Sequence, residues 1–416
     1  MTFAMKLEMK LVMKACALIH KAYGNGAGLF GASDSVLQPA YGSAIRSAAP
    51  RLKETILKRF THTPILAAAM LLLAMTGPLA VAQQAAAKAS APEPVKPAIA
   101  VTGQSRAAEP APGGYLFAHM THARYGVLHY SVSTDGLHWK RLNKGRAVNE
   151  EYHGHPYIVQ GGDGRYYLVG NQSDEDPEIR FWVSDDLVKW TKFGTYRPDL
   201  AAAVGQPHPL KHIGAPKLFY DKASARFVLT WHTPNVPTSA DDPERYWASQ
   251  RTLYVTSKDL RQFAGPPKRL FDWDMATIDT FLVDNPAGGY CAVVKDERFP
   301  SYNWTTGKTV RMSCGANLLG PYPEPGPSLS PAFREAPTLV RAPNGADWLL
   351  YYEQYAGTSY GLSMAPRLEG PWIEVWGNSG VPEWNRFEMP ATLRHGFMMP
   401  VTRQQMDALV AAFPER

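Results

Sequence analysis

The sequence predicts an all-β fold, a five-bladed β-propeller of four-stranded antiparallel blades, on three observations. Five short apolar strands open on unlike residues: His155-Pro156-Tyr157-Ile158-Val159, Ala215-Pro216-Lys217-Leu218-Phe219, Asp279-Thr280-Phe281-Leu282-Val283, Glu335-Ala336-Pro337-Thr338-Leu339-Val340 and His395-Gly396-Phe397-Met398-Met399. A turn followed by an aromatic residue recurs between them, and helical periodicity is almost absent before residues 404–413. A repeat that keeps its packing residues and varies one position suits a ring of equivalent modules, with the varied position facing a shared axis. A β-sandwich competes, but sandwich strands do not normally repeat one turn-and-aromatic pattern three times clearly and twice loosely.

Taken in order, apolar and aromatic runs at 115–120, 126–133, 166–170, 179–184, 227–231, 253–256, 290–295, 310–313 and 348–352 read as strands. Turns such as Gly161-Gly162-Asp163-Gly164, Pro286-Ala287-Gly288-Gly289 and Pro343-Asn344-Gly345 join pairs of them as hairpins require. The repeat is clearest where Ser133-Thr134-Asp135-Gly136 leads to Trp139, Ser184-Asp185-Asp186-Leu187 to Trp190, and Ser257-Lys258-Asp259-Leu260 to Phe263. Looser copies lie at 312–322 and 364–372. Starting points are roughly 50 to 70 residues apart, inside or a little above the spacing of propellers and solenoids. Five units fill 115–403. The first has its outer strands before Pro156, and the last segment, 395–401, matches its inner strand and closes the ring.

The composition is that of a globular protein, 45% hydrophobic and 19% charged over 416 residues, with 11% aromatics that favour sheet or a sugar-type surface. Nine Lys or Arg and three acids lie in residues 1–60, which accounts for the whole formal charge of +6; the remainder balances at zero. A nucleic-acid binder should carry its basic excess in the folded part, so that class is excluded. Residues 57–82 read as a Sec-type signal peptide: Lys58-Arg59, an apolar run, then Ala80-Val81-Ala82. The run is barely long enough to span a membrane, and Gly77-Pro78 near its end favours cleavage over anchoring, so no stable membrane insertion is expected. Export to the periplasm or the medium follows. Residues 1–56 read as an unassigned leader from a start placed too early, 83–113 as an Ala/Pro-rich linker, and 404–416 as a short helix and tail after the 114–403 propeller. Cys291 and Cys314 either pair in an oxidising compartment or stay as two buried thiols.

If each innermost strand runs along the channel, His155, Ala215, Asp279, Glu335 and His395 surround one mouth. Two carboxylates and two imidazoles converging there are costly to bury without a role; the structural alternative is that Asp279 or Glu335 merely caps a turn. His153-x-His155 could be a metal pair, but no third ligand stands at an obvious spacing. Tyr152, Trp231 with His232, Trp273 and Trp304 lie in connecting segments and suit stacking on sugar rings, whereas Trp139, Trp190 and Trp372 recur at repeat positions and suit the core.

These segments resemble the five-bladed propellers of glycoside hydrolase family 43 and its relatives. The resemblance covers nearly all of 115–403. It rests on Tyr115-Leu116-Phe117-Ala118, the Ser133-to-Trp139 turn, Ala215-Pro216-Lys217-Leu218-Phe219-Tyr220-Asp221, Ile278-Asp279, Glu335-Ala336-Pro337-Thr338 and Arg394-His395-Gly396. By that resemblance Glu335 matches the general acid of an inverting hydrolase, and Asp279 the acid that orients it and raises its pKa. Arg394 and His395 match a pair supporting the sugar site. In some relatives the histidine touches a central calcium or its water shell, so a structural calcium at the axis is the one cofactor the resemblance admits. Two positions depart from the pattern. Gly154-His155-Pro156 stands where the family has Arg-Asp-Pro with the base aspartate, and Lys217 where relatives often have glutamate. Either His155 is itself the base, or Glu150, Glu151 or His153 supplies it, or hydrolysis has been lost. The expected function is therefore a glycosidase acting on an oligo- or polysaccharide of the arabinoside, xyloside or galactoside type. The alternative is a non-catalytic carbohydrate-binding propeller.

Overall fold

Each blade is an antiparallel meander that starts at the axis and steps outward. In chain order the strands are β1 (Gly114–Thr121), β2 (His129–Ser133), β3 (Lys140–Arg141), β4 (Tyr157–Gln160), β5 (Tyr166–Asn171), β6 (Ile179–Ser184) and β7 (Thr191–Tyr196). β8 (Gly214–Asp221), β9 (Arg226–Thr233), β10 (Arg251–Ser257) and β11 (Lys268–Arg269) make the third blade, and β12 (Thr277–Asp284), β13 (Tyr290–Asp296) and β14 (Thr309–Gly315) the fourth. β15 (Glu335–Arg341), β16 (Trp348–Gln354), β17 (Ser359–Ala365) and β18 (Ile373–Val375) make the fifth. β19 (Leu393–Val401) then returns to lie beside β1, in register from Gly114↔Val401 to Thr121↔Leu393, giving the order β19-β1-β2-β3. The inner strands β4, β8, β12, β15 and β19 neighbour one another in that order and back to β4. This is the expected five-bladed propeller, closed by the C-terminal strand. The computed structural model describes residues 112–200, 203, 212–236, 242–298, 307–355, 359–375 and 387–415, all within one compact unit, Ile99–Arg416. The leader, the signal segment, nearly all of the linker and Trp304 lie outside the described residues.

The repeated turn has a physical reason. In each copy the serine hydroxyl accepts from the backbone N–H three residues on (Gly136, Leu187 or Leu260, at 2.8–2.9 Å), and one aspartate oxygen accepts from the next two N–H groups at 2.8–2.9 Å. The fourth position has a positive φ, 76° at Gly136, 65° at Leu187 and 55° at Leu260, so the aspartate contacts offset left-handed backbone that leucine disfavours. The aromatic that follows packs between blades: Trp139 meets Phe117 and Tyr351 edge-on, and Trp190 donates to the Tyr130 hydroxyl.

Three strands are assigned to the fourth blade among the described residues, and extended chain takes the outermost position. Gly326 N–H donates to Met312 O and Leu329 N–H to Val310 O, while Pro323, Pro325 and Pro327 lack the donors a full ladder needs. Cys291 and Cys314 face each other across β13 and β14 and form a disulfide, which settles the open pairing. At the C-terminus α2 (Arg403–Ala412) follows the short α1 (Pro243–Ala248). A capping box of Thr402 and Gln405 opens α2, which buries Met406 and Leu409 beside the first blade.

Candidate active site

Three inner strands begin with the same distortion. The ladder slips between Gly214 and Lys217, Ile278 and Phe281, and Glu335 and Thr338, and the first residue of each bulge has a positive φ: Ala215 at 40°, Asp279 at 54° and Ala336 at 48°. Non-glycine residues are strained there, a state that surrounding structure must impose. The alignment also corrects the sequence reading by one residue. Asp279 is equivalent to Ala215 and Ala336, and Glu335 to Gly214 and Ile278. Even so, Asp279, Glu335 and His395 each present a polar atom, all within 4.8 Å of one another.

Glu335 lies in a cationic cage. Its Oε2 accepts from Lys295 Nζ at 2.7 Å, its Oε1 pairs with His395 Nε2 at 3.0 Å, and the Arg394 guanidinium stands 3.8 Å away. Burial by itself would raise this carboxyl, but Lys295 and His395 hold it well below the usual carboxylate range. The expected upward push from Asp279 is therefore outweighed. Asp279 Oδ2 accepts from Ala336 N–H at 2.9 Å, its own N–H meets His232 Nδ1 at 3.4 Å, and its Oδ1 is buried without a partner. Burial raises its carboxyl too, yet His395 and Lys217 bring it below the ordinary value. Burial opposes charge on His395, but Asp279, Glu353 and Glu335 raise its pKa to about 9. The proton of this cluster thus rests on His395, one hydrogen bond from Glu335.

His155 reaches the cluster, its ring 4.3 Å from that of His395, but neither nitrogen is open to a water. Nε2 pairs with the Tyr125 hydroxyl at 2.8 Å, and Nδ1 is buried without a partner or an approach for water. Burial, then His395, lowers its pKa to about 4. His153 is half-buried beside Gly126. Glu150 and Glu151 are exposed and pair with Arg124 and Lys192 rather than with the axial cluster. Neither tryptophan is a sugar platform. Trp231 is core, 2% exposed, and Trp273 is 6% exposed, stacked on Phe271 and donating to Tyr322 O. Tyr152 is likewise buried and donates to Val169 O.

Sequence reasoning gave no axial role to a second ring of residues, at the mouth ends of the second strands and in the loops after them, and read His232 only as a stacking companion of Trp231. His232, Lys295 and Glu353 sit directly opposite Gly214, Ile278 and Glu335 in the ladders. Glu353 accepts from His395 N–H at 2.8 Å and pairs with Arg394; burial pushes its carboxyl up to about 7. Lys295 also bonds Glu297, which pairs in turn with Lys308. The legible signal was that each of these apolar strands ends on a polar residue at the same place in the repeat. Lys217, Tyr157, Phe281 and Phe397 lie one rung below the mouth. Their aromatic rings close on one another, 4.0 Å from Tyr157 to Phe397, and Lys217 lies 5.3 Å from the Tyr157 ring.

A calcium ion fits these donors poorly. It takes six to eight oxygens, whereas the three carboxylates gathered around His395, those of Asp279, Glu335 and Glu353, are already engaged by Lys295, His395, Arg394 and backbone, with the Lys217 ammonium close to Asp279. The fixed cations Lys295, Arg394 and Lys217 supply the positive charge here.

A propeller whose axial mouth gathers carboxylates, imidazoles and ammonium groups is the class that fold and site define. The chain belongs to the family described as "Probable glycosyl hydrolase domain", related to glycoside hydrolase family 43, whose model matches residues 111–407. Among solved structures it is similar to a thermostable family-43 glycoside hydrolase (18% identity over 55% of this chain and 72% of that one, TM-score 0.39). It is also similar to the α-L-arabinanase of Penicillium chrysogenum complexed with arabinobiose (16%, 64% and 79%, 0.43) and the α-L-arabinofuranosidase of Lactobacillus brevis (13%, 59% and 90%, 0.41). No curated protein matches the sequence.

Proposed function

We propose that this protein is an exported glycoside hydrolase acting on a glycan of the arabinoside, xyloside or galactoside type, with Glu335 as the proton donor to the leaving oxygen. One observation carries the reading: Asp279, Glu335 and His395, far apart in the chain, meet within 4.8 Å at the axis of a propeller of this family. Since Glu335 is held ionised, its proton comes from His395 Nε2 along the 3.0 Å bond between them. The leaving oxygen then takes it from Glu335 as the glycosidic bond breaks. Asp279 fixes the backbone at Ala336, and so the entry of Glu335. Arg394 and Glu353 hold His395 in place. Inversion of the anomeric carbon is the outcome proposed. The Cys291–Cys314 bond supports an oxidising compartment, in line with cleavage near Ala82.

The second reading, a carbohydrate-binding propeller without turnover, draws support from the same cage, because a carboxylate bridged by Lys295 and His395 is a reluctant donor. Purified mature protein assayed on aryl arabinosides, xylosides and galactosides, beside Glu335→Gln, separates the two. Turnover that falls by about 10²–10⁴-fold in the variant supports the hydrolase. Turnover that survives unchanged removes Glu335 from its role, and glycan binding without turnover in the parent protein favours the second reading.

A further inference from the structure

We propose that Asp174, on the loop between β5 and β6, is the general base that the His155 position lacks. This rests on the hydrolase reading above. The antiparallel order of a blade returns the loop after its second strand to the end where the inner strand begins, so residues 172–178 stand at the same mouth as His155. The loop is pinned there. Ile213 N–H donates to Asp174 O at 2.7 Å, and Asn171 Nδ2 donates to Ile213 O at 2.7 Å and Ser173 O at 2.9 Å. These bonds tie Asp174 to the entry of β8, beside His212, whose ring lies 5.7 Å from that of His232; His232 in turn meets Asp279 N–H.

The groups that feel the Asp174 carboxylate are those of the mouth: Tyr125, His155, His212, His232 and His395. Its side chain is half-buried rather than sealed, so water can reach it. Burial works against its charge, but the imidazoles keep it below the ordinary carboxylate value and therefore ionised. In the ring of blades, the second and third are separated from the fifth by the first on one side and the fourth on the other. Asp174 and Glu335 therefore belong to blades that are not adjacent in the ring, the placement that two carboxylates acting on opposite faces of one sugar need. In the step proposed, Asp174 takes a proton from water while the water oxygen bonds to the anomeric carbon. The bond to the aglycone oxygen breaks, and that oxygen leaves with its electron pair and the proton from Glu335.

The test compares Asp174→Asn, Asp174→Ala and His155→Gln with the parent mature protein on an aryl glycoside that it turns over. The two Asp174 variants should lose about 10²–10⁴-fold in kcat/KM, keep the unfolding midpoint and lose the acidic limb of the pH profile. Sodium formate or azide, small enough to fill the vacated place, should raise Asp174→Ala by tenfold or more and leave His155→Gln unmoved. Turnover within about threefold of the parent in Asp174→Asn overturns the assignment, as does a loss that neither anion rescues with the acidic limb unchanged. In either case the parent's own Glu335-dependent turnover leaves the hydrolase reading standing. A parent protein that turns over none of the glycosides overturns both.

Discussion

The outer turns and the axial mouth use the same materials, an aspartate and a residue forced to positive φ, and finish differently. At Asp135, Asp186 and Asp259 one oxygen is filled by two backbone N–H groups of its own turn, and the pattern is repeated almost letter for letter. At Asp279 one oxygen accepts a backbone N–H from a neighbouring blade, while the other is buried and left open. A polar group satisfied locally is packing, whereas a carboxylate oxygen left open among the axial charges calls for a role beyond packing.

The sharpest way to break that comparison is Lys295→Met. It strips Glu335 and Glu297 of a shared buried ammonium and should destabilise by about 3–5 kcal/mol, read as a lowered urea midpoint; a stability change below about 1 kcal/mol would mean the cage is not a structural ion cluster. Trp231→Ala tests the core side, with an expected loss of about 3–5 kcal/mol and KM for any turned-over glycoside unchanged. A selective rise in KM without loss of stability would restore Trp231 as a sugar platform. Asp259→Ala should cost only about 1 kcal/mol and leave turnover per folded molecule untouched, since its contacts end within its own turn; a collapse of activity there would break the contrast between turn and mouth.

The pH dependence is the most diffuse effect and sets the two regions against each other through histidine. His395, raised to about 9 from 6.5 despite its burial, gives stabilisation that is complete below about pH 6.5 and lost as pH climbs through 9. His119 and His232, both lowered to about 3 chiefly by burial, favour the folded state above pH 6.5 and lose that contribution as pH falls toward 3. Urea midpoints measured from pH 3 to 10 should therefore decline at both ends. His395→Gln should flatten the alkaline decline alone, and an unaltered alkaline limb in that variant would show that His395 carries no raised proton.

Much of the architecture was legible because each blade repeats its own local rules. The Ser-x-Asp turns, the hairpin glycines and the aromatic after each turn act over a few residues, and a single chain displays them whatever its neighbours do. The closing strand could be read because 395–401 matched inner strands already recognised. The site was only half legible. Asp279, Glu335, Arg394 and His395 stand at strand starts, where the repeat exposes a varied position. Lys295, Glu353 and Asp174 stand at strand ends and in loops, where polar residues are ordinary and carry no pattern. Trp231 and Trp273 were misread because an aromatic beside a loop looks the same in sequence whether it faces solvent or the next blade.

By itself, then, the sequence determined the blade, its turns, its number of copies and the kind of chemistry held at the strand starts, since these depend on side-chain periodicity and local hydrogen bonding. Only the tertiary structure decided which charges meet. Glu335 is ionised and not protonated because Lys295, forty residues away in the chain, approaches it across neighbouring strands, and Coulomb energies depend on distance through space rather than along the backbone.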